Sequence, residues 1–351
     1  MSDCVYERLR AFLDRMPGGF PSTDSGIEIR ILRKLFAPDE AEITPHLNEC
    51  LEEVSAIAKR VGRAESEISE KLEHMAREGL IFRYRDEGKT LYRANPFVPG
   101  LFEFHQHKVD REFGELMEQY MPHLGMLWAT VKTKQLRVIP VDSALDALPA
   151  VAPYNQVREF VKKQSLISEA PCMCRREYAL MEHKCDRPEG LCFSFGDVAR
   201  YVIENGMGKQ ISVEEALQRL NLAEESALVL APANSQEFQC MCCCCSCCCH
   251  LLKLLQWVDR PVDHFQSGYQ ATIDPELCTA CGTCLERCQI NAIKNGGSVM
   301  EIDPARCIGC GLCVSRCPAE AISFDKHPGV AAPPADCSVL AKKVKQERGL
   351  A

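Results

Sequence analysis

Apolar positions between residues 24 and 80 recur every three or four residues, as they do along the buried face of amphipathic helices. The spacing predicts a helix before Pro38, a second over residues 54–61 and a third over 64–78. The residues that carry the pattern in the first and third helices are Ile27, Ile31, Leu32, Leu35, Ile68, Leu72 and Met75. Gly62 directly follows the second helix, and glycine is the residue that most often ends a helix.

A β-hairpin is predicted after these helices. Residues 80–85 and 90–93 are rich in apolar and aromatic side chains, and turn residues at 86–89 separate them, which is typical of two paired strands. Helix, turn, helix and hairpin is the order of elements in a winged helix. Residues 24–100 resemble the MarR-like winged-helix repressor domains, and the resemblance implies that the helix at 64–78 would enter the major groove of DNA.

The charges of this module argue against contact with phosphates. Residues 1–100 contain 15 basic and 18 acidic residues, and the helix at 64–78 carries five glutamates against Lys71 and Arg77. A DNA-reading surface needs an excess of basic side chains to neutralise phosphate charge. We therefore expect the module to dock a redox partner protein or to form a homodimer, with a DNA-binding regulator as the alternative.

Cysteine is the residue type that departs from ordinary composition, with 23 in 351 residues. No secretory signal pattern opens the sequence, so we expect a cytoplasmic protein whose thiols are reduced. Short-spaced thiolates in such a compartment are ligands for iron-sulfur clusters or zinc. The net charge of −8 gives no basic footprint for nucleic acid. Residues 240–258 are rich in cysteine and include His250 and Lys253, so no membrane span is predicted.

The strongest pattern is an internal repeat near the C-terminus. Residues 273–293 and 302–322 both read Ile-Asp-Pro, then Cys-x2-Cys-x2-Cys-x3-Cys, then Ala-Ile. This spacing is that of bacterial ferredoxins with two 4Fe-4S clusters, and the segment resembles that family. Zinc fits poorly, because zinc sites usually combine pairs of cysteines across a longer gap.

In the ferredoxins that this segment resembles, three closely spaced cysteines and one from the other repeat bind each cluster. The resemblance implies one cluster on Cys278, Cys281, Cys284 and Cys317. It implies a second cluster on Cys307, Cys310, Cys313 and Cys288. Gly282 and Gly311 follow the second cysteine of each triplet, where a tight loop turns backbone N–H groups towards the cluster. Gln289 stands where ferredoxins usually carry proline.

A third iron-sulfur centre is predicted in the cysteine-rich region that precedes the repeat. The candidate ligands are Cys172, Cys174, Cys185, Cys192, Cys240, Cys242 and Cys243. Residues 240–249 hold eight cysteines, which is too dense for all of them to bind one metal. A multi-thiolate site with open coordination and a set of buried structural thiols are the alternatives.

The arrangement as a whole resembles a group of ferredoxin-fused proteins of strict anaerobes. These have a winged-helix-like N-terminus, a Pro-Cys-x-Cys-Arg stretch (here residues 171–175), a dense cysteine group and a terminal dicluster ferredoxin. Met241 replaces the usual polar residue of the dense group in this sequence. Arg175 and Arg176 would balance the negative charge of a cluster or bind an anionic substrate, and plain surface charge is the alternative.

The predicted fold class is α+β, with several domains. A winged-helix-like module over 1–100 is joined by a connecting helix and linker over 101–153 to a small α/β cysteine-rich domain over 154–265. The dicluster ferredoxin fold follows over 270–325, and residues 326–351 form a tail.

The expected function is single-electron transfer between a redox partner and the third centre through the two ferredoxin clusters. An electron carrier or an oxidoreductase subunit is expected rather than a stand-alone enzyme. The alternatives are a redox-responsive transcription regulator and an iron-sulfur reductase that uses the middle cysteines.

Overall fold

The computed structural model describes residues 2–86, 88–146, 148, 150–327 and 329–350. Residues outside this range are Met1, Glu87 in the predicted hairpin turn, Ala147 and Pro149 in the predicted linker, Pro328 in the tail, and Ala351. The helices are α1 (Ser2–Asp14), α2 (Ile27–Leu35), α3 (Pro38–Ile43), α4 (Val54–Val61), α5 (Glu65–Arg77), α6 (Phe102–Phe104), α7 (Arg111–Thr130), α8 (Asp142–Leu145), α9 (Val157–Lys162), α10 (Met173–Leu180), α11 (Gly196–Glu204), α12 (Val213–Glu225), α13 (His250–Gln256), α14 (Thr283–Arg287) and α15 (Cys337–Glu347). The strands are β1 (Glu52–Glu53), β2 (Ile81–Asp86), β3 (Lys89–Ala94), β4 (Ile167–Ala170), β5 (Cys192–Phe195), β6 (Lys209–Ile211), β7 (Val229–Pro232), β8 (Cys240–Cys244), β9 (Tyr269–Ile273), β10 (Ile293–Asn295), β11 (Met300–Ile302) and β12 (Ile322–Lys326).

The N-terminal segment contains the elements that its apolar pattern predicts. The helices expected at 54–61 and 64–78 are confirmed as α4 and α5, and Gly62 ends α4 with φ at +75°. Strands β2 and β3 pair antiparallel from Ile81 opposite Ala94, and β1 extends this sheet beside β3. Helices and antiparallel sheets thus both occur in the chain, which is consistent with the predicted α+β class.

The β2–β3 hairpin is fastened to the middle of the chain through α11. The Tyr201 hydroxyl lies 2.8 Å from the carbonyl oxygens of both Ala76 and Ile81. Arg83 in β2 pairs with Glu204 at 3.0 Å, and the Arg83 side chain is only 1% exposed. Because these contacts are buried, the N-terminal segment packs directly against α11 rather than forming an independent domain.

The predicted linker makes specific contacts over residues 136–141. Leu136 and Ile139 form antiparallel bridges with Ala233 and Leu230, so this stretch lies along the edge of β7. The Val141 N–H then donates to the carbonyl oxygen of Cys310 at 3.1 Å. The linker therefore contacts both strand β7 and the second cysteine repeat.

A five-stranded antiparallel sheet organises the middle domain, in the order β6-β4-β5-β8-β7. Residues 212–215 read Ser-Val-Glu-Glu, a sequence that predicts a capping box, and the box is confirmed at the start of α12, where the Ser212 hydroxyl accepts from the Glu215 N–H at 3.1 Å. Successive strand residues point to opposite faces of a sheet. On one face, Phe193, Met241 and Cys243 are buried in a core that α9 and α12 also line. The other face carries the remaining cysteines of β8.

The C-terminal repeats form two small antiparallel sheets, β9 with β12 and β10 with β11. Pairing of Tyr269 with Lys326 and of Ile273 with Ile322 joins the first strand of one repeat to the last strand of the other. Helix α15 in the tail packs back on the N-terminal segment, where Lys345 pairs with Glu49 at 2.7 Å. Among the described residues, no helix is both long and apolar enough to cross a membrane.

Candidate iron-sulfur sites

Four thiols of the C-terminal repeats lie together, and we call them ferredoxin site 1: Cys278, Cys281, Cys284 and Cys317. These four side chains line one small cavity together with Met300 and Ile322. The Met300 N–H donates to Cys278 Sγ at 3.4 Å, and the Ala321 N–H donates to Cys317 Sγ at 3.4 Å. Burial raises the pKa of Cys284, and the nearby charges of Cys281 and Cys317 raise it further. The structure thus brings together a triplet from one repeat and the last cysteine of the other.

Ferredoxin site 2 is the corresponding set Cys288, Cys307, Cys310 and Cys313. Burial raises the pKa of Cys313, and it is raised further by the charges of Cys310, Cys307 and Cys288, which lie close by. The Ala292 N–H donates to Cys288 Sγ at 3.2 Å. This bond is the counterpart of the one from Ala321, four residues after the last cysteine of the other repeat. Four thiols with amide donors directed at sulfur fit the ligand set of a 4Fe-4S cluster.

Gly311 is needed here for a reason beyond loop flexibility. Its φ is +76°, in the region that favours glycine, and a Cβ at this position would lie 2.5 Å from the Cβ of Ala144 in α8. The helix α8 belongs to the linker that precedes the middle domain. The glycine that the repeat predicts therefore also lets the linker pack against ferredoxin site 2.

Six thiols of the middle domain lie on the sheet face opposite the α9–α12 core, and we call them the sheet-face pocket: Cys172, Cys174, Cys192, Cys242, Cys244 and Cys249. The register of β5 and β8 places Cys192 directly opposite Cys242, and the two-residue period of the strand brings Cys244 to the same face. Cys174 in the first turn of α10 and Cys249 at the start of α13 complete the group.

Neighbouring thiols in this pocket shift one another's pKa values. Bonds from Cys192 and Cys244 lower the pKa of Cys242 well below its ordinary value. Bonds from Cys174 and Cys244 have the same effect on the pKa of Cys249. The same contacts raise the pKa values of Cys174, Cys192 and Cys244. Cys242 and Cys249 therefore lose a proton more readily than these neighbours, and the thiolate is the form that binds metals.

Two of the sequence-predicted ligands, Cys243 and Cys185, lie elsewhere, and a third, Cys240, lies at the edge of the pocket. Cys243 points to the opposite face of β8 and is 2% exposed in the α9–α12 core, because adjacent strand residues alternate in direction. Cys240 is on the pocket side of β8, at the first position of the strand, where burial and the charge of Cys242 raise its pKa. Cys185 is separated from the pocket and belongs to another group.

That second group, which we call the loop site, consists of Cys185, Cys245, Cys247 and Cys248. The four Sγ atoms all lie within 4.8 Å of one another. Cys185 comes from the loop between α10 and β5, and the other three come from the turn between β8 and α13. The sequence did not separate these cysteines from the rest of the run. One sequence signal could have separated them, which is the point where strand β8 ends. Side chains in the turn after a strand need not point to the same face of the sheet as those in the strand.

Arg175 lies between the two groups of middle-domain thiols. Its Nη2 donates to the Cys243 carbonyl oxygen at 2.8 Å, and its Nη1 donates to the Pro188 carbonyl oxygen at 3.0 Å. Burial alone would lower the pKa of Arg175, but the charges of Cys172 and Cys245 raise it. Arg175 is 4% exposed, whereas the neighbouring Arg176 is on the surface. The buried guanidinium therefore supplies positive charge to both thiol groups.

A buried pair joins the two helices that present thiols to the sheet-face pocket. Glu177 Oε2 in α10 lies 3.0 Å from His250 Nε2 in α13, and their side chains are 0% and 6% exposed. Burial raises the pKa of Glu177, and the bond to His250 opposes the rise. Cys174 is one turn before Glu177, and Cys249 directly precedes His250. The pair therefore fixes the position of these two thiols relative to each other.

The middle domain and the C-terminal repeats share one apolar core. Cys249 and Leu252 of the middle domain are buried in it with Cys284 and Cys307 of the repeats. Polar contacts reinforce the junction. The Arg287 Nη2 donates to the Glu224 carbonyl oxygen at 2.7 Å. The two cysteine-rich regions are thus packed against each other.

Comparison with known proteins places the C-terminal segment in a class. Residues 271–324 match the family model described as a 4Fe-4S dicluster domain. Searches of curated proteins and of solved structures returned no match. The chain therefore carries a ferredoxin-type iron-sulfur domain, a class of domain that transfers single electrons, together with a separate group of cysteines able to hold a metal.

Proposed function

We propose that the protein transfers single electrons between a redox partner and an iron-sulfur centre in its middle domain, through two ferredoxin-type 4Fe-4S clusters. The observation that carries the proposal is the common core in which Cys249 of the sheet-face pocket is buried with Cys284 and Cys307 of the ferredoxin sites. Separate domains with no shared core would have no fixed path between their centres. Here the packing holds the thiol groups at a constant separation.

Ferredoxin sites 1 and 2 would each hold one cluster. When bound, such a cluster accepts and releases one electron at a time, at a potential set by its surroundings. The chain supplies four thiolates to each site, and the amides of Ala292 and Ala321 donate to the cysteines contributed across the repeats. Donors directed at sulfur stabilise negative charge, so they favour the reduced state.

The third centre is assigned to the sheet-face pocket. Six thiols exceed what one tetrahedral ion needs, and a multi-iron cluster makes fuller use of them. Arg175 offsets the negative charge of the thiolates from one side. The bond between Glu177 and His250 holds α10 and α13 in place, so the ligands are preorganised before any metal enters.

The N-terminal segment serves as a docking module in this proposal. Two of its wing arginines, Arg83 and Arg85, both pair with Glu73 of α5 and Glu204 of α11. Side chains engaged in this way are not free to neutralise DNA phosphates, which supports docking over the regulator hypothesis. Titration of the full chain against its own upstream DNA at several salt concentrations would reveal salt-dependent binding if the regulator hypothesis were right.

Iron and acid-labile sulfide analysis of the anaerobically reconstituted chain tests the proposal. Three four-iron clusters predict about twelve irons per chain. The Cys192→Ser/Cys242→Ser double variant is expected to retain about eight, because both changes lie in the sheet-face pocket. Cys50→Ser alters an exposed cysteine and is the matched control. Fewer than about eight irons in the unmodified chain, or no loss in the double variant, would overturn the proposal.

A further inference from the structure

The four thiols of the loop site are closer together than the ligands of an iron-sulfur cubane. Cys185 Sγ lies 3.4 Å from Cys247 Sγ and 3.9 Å from Cys245 Sγ, and Cys248 Sγ lies 3.7 Å from Cys247 Sγ. A tetrahedral ion with metal–sulfur bonds of about 2.3 Å places its ligands about 3.8 Å apart. Cysteines around a cubane are farther apart, because each binds a different iron atom.

We infer that the loop site binds a single tetrahedral metal ion, zinc or iron, through the four thiolates of Cys185, Cys245, Cys247 and Cys248. The site is separate from the three clusters proposed above and does not depend on them. Four thiolates complete the coordination of such an ion. With no position left for substrate, a zinc ion here would have a structural role, whereas an iron ion would anchor the chain and also exchange one electron.

The position of the site in the chain indicates what the ion stabilises. Cys185 lies in a loop of eleven residues between α10 and β5, which has no regular secondary structure. The ion would pin this loop to the turn after β8, and the loop begins where α10 ends. Because α10 carries Cys174 and β5 begins with Cys192, the ion would hold the segment between two ligands of the sheet-face pocket.

The same turn also contacts the ferredoxin domain. Ser246, between two of the loop-site cysteines, donates to the Gln289 side chain at 2.8 Å from its N–H and at 3.0 Å from its hydroxyl. Gln289 directly follows Cys288 of ferredoxin site 2. An ion bound by Cys245 and Cys247 would fix the turn that makes this contact, so the inferred site also stabilises the junction between the domains.

Metal and sulfide analysis of the full-length chain, purified anaerobically, tests the inference. Cys247→Ser removes an exposed ligand of the loop site, and Cys50→Ser, also exposed, is the control. The expected result is loss of one zinc or one iron per chain in Cys247→Ser, with no loss of acid-labile sulfide and no change in the control. Sulfide separates the two kinds of site, since a mononuclear ion contains none. Loss of about four irons with their sulfide would show a cluster at this site and overturn the inference.

X-ray absorption on the unmodified chain gives a second readout that needs no variant. At the zinc edge, a mononuclear site gives four sulfur neighbours at about 2.3 Å. A chain without zinc in which Cys247→Ser leaves the iron content unchanged would also contradict the inference. Failure of the sheet-face pocket proposal is distinguishable, because that pocket is tested by its own variants and by sulfide loss.

Discussion

The side-chain oxygen of Gln289 accepts two hydrogen bonds from Ser246, at 2.8 Å from the backbone N–H and at 3.0 Å from the hydroxyl. Gln289 occupies the position where ferredoxins usually carry proline, directly after Cys288. Proline has no side-chain acceptor, so it could not make these bonds. The departure from the ferredoxin pattern therefore has a structural reason, which is contact with the middle domain.

Gln289→Ala is expected to lower the free energy of unfolding by about 1–2 kcal/mol, because two hydrogen bonds at a buried junction are lost. Both ferredoxin clusters should remain, since no ligand changes. Denaturant unfolding of the cluster-loaded chain measures the loss. Gln270→Ala is the matched control, because Gln270 is in the same domain but bonds to the Pro304 carbonyl oxygen away from the middle domain. Equal losses in the two variants would contradict this explanation of Gln289.

Arg175→Gln is expected to lower the reduction potential of the third centre. A buried positive charge favours the state with the extra electron, by about 1–2 kcal/mol at an effective dielectric constant near 20. Redox titration monitored by EPR measures the shift. Arg176→Gln removes the same charge from the surface at the next position and should shift the potential far less. A potential that rises, or an equal shift in both variants, would show that Arg175 does not act by its charge.

Glu177→Ala is expected to cost about 1–3 kcal/mol of stability, because buried His250 loses its partner. The iron of the third centre should also be bound less firmly, since α10 and α13 are no longer held together. Unfolding curves and the rate of iron loss to a chelator check the two effects. Glu182→Ala changes an exposed carboxylate of the same region, with a side chain 84% exposed, and should leave both quantities unchanged. A variant as stable as the unmodified chain would refute the positioning role of Glu177.

Arg83→Ala is expected to lower the free energy of unfolding by about 2–3 kcal/mol, because the buried Arg83 guanidinium pairs with both Glu73 and Glu204. The N-terminal segment should then be cleaved more readily by protease. Arg77→Ala removes an arginine that pairs with the same Glu73, but Arg77 is 67% exposed, and such surface pairs contribute about 1 kcal/mol or less. Similar losses from the two changes would mean that the hairpin is not anchored through Arg83.

Features that depend on local sequence could be predicted. Gly62 ends α4, Ser212 opens α12 with its capping box, and the two hairpin strands flank a set of turn residues. Each of these features depends only on residues within a few positions along the chain. The repeat spacing likewise identified the ferredoxin-type segment, which the family match supports. These patterns carry their own stereochemical reasons and need no knowledge of the rest of the fold.

The grouping of the middle cysteines could not be predicted in the same way. Cys192 meets Cys242 only through the register of β5 and β8, and Cys185 meets Cys247 through a loop that returns from 62 residues away. Such pairings are set by tertiary packing. The alternation of β8 is local, however, and could have separated Cys243 from Cys242 once the strand was recognised.

EPR of the fully reduced chain, with integration of the spin signal, counts the clusters that accept an electron. Three reduced clusters per chain are expected in the unmodified protein and two in Cys192→Ser/Cys242→Ser, with magnetic interaction between centres lost in part. A chemical reductant or a reduced redox partner should reduce all three centres of the unmodified chain. Two reduced clusters in both proteins, with identical spectra, would contradict the proposed function, because the sheet-face pocket would then hold no redox centre.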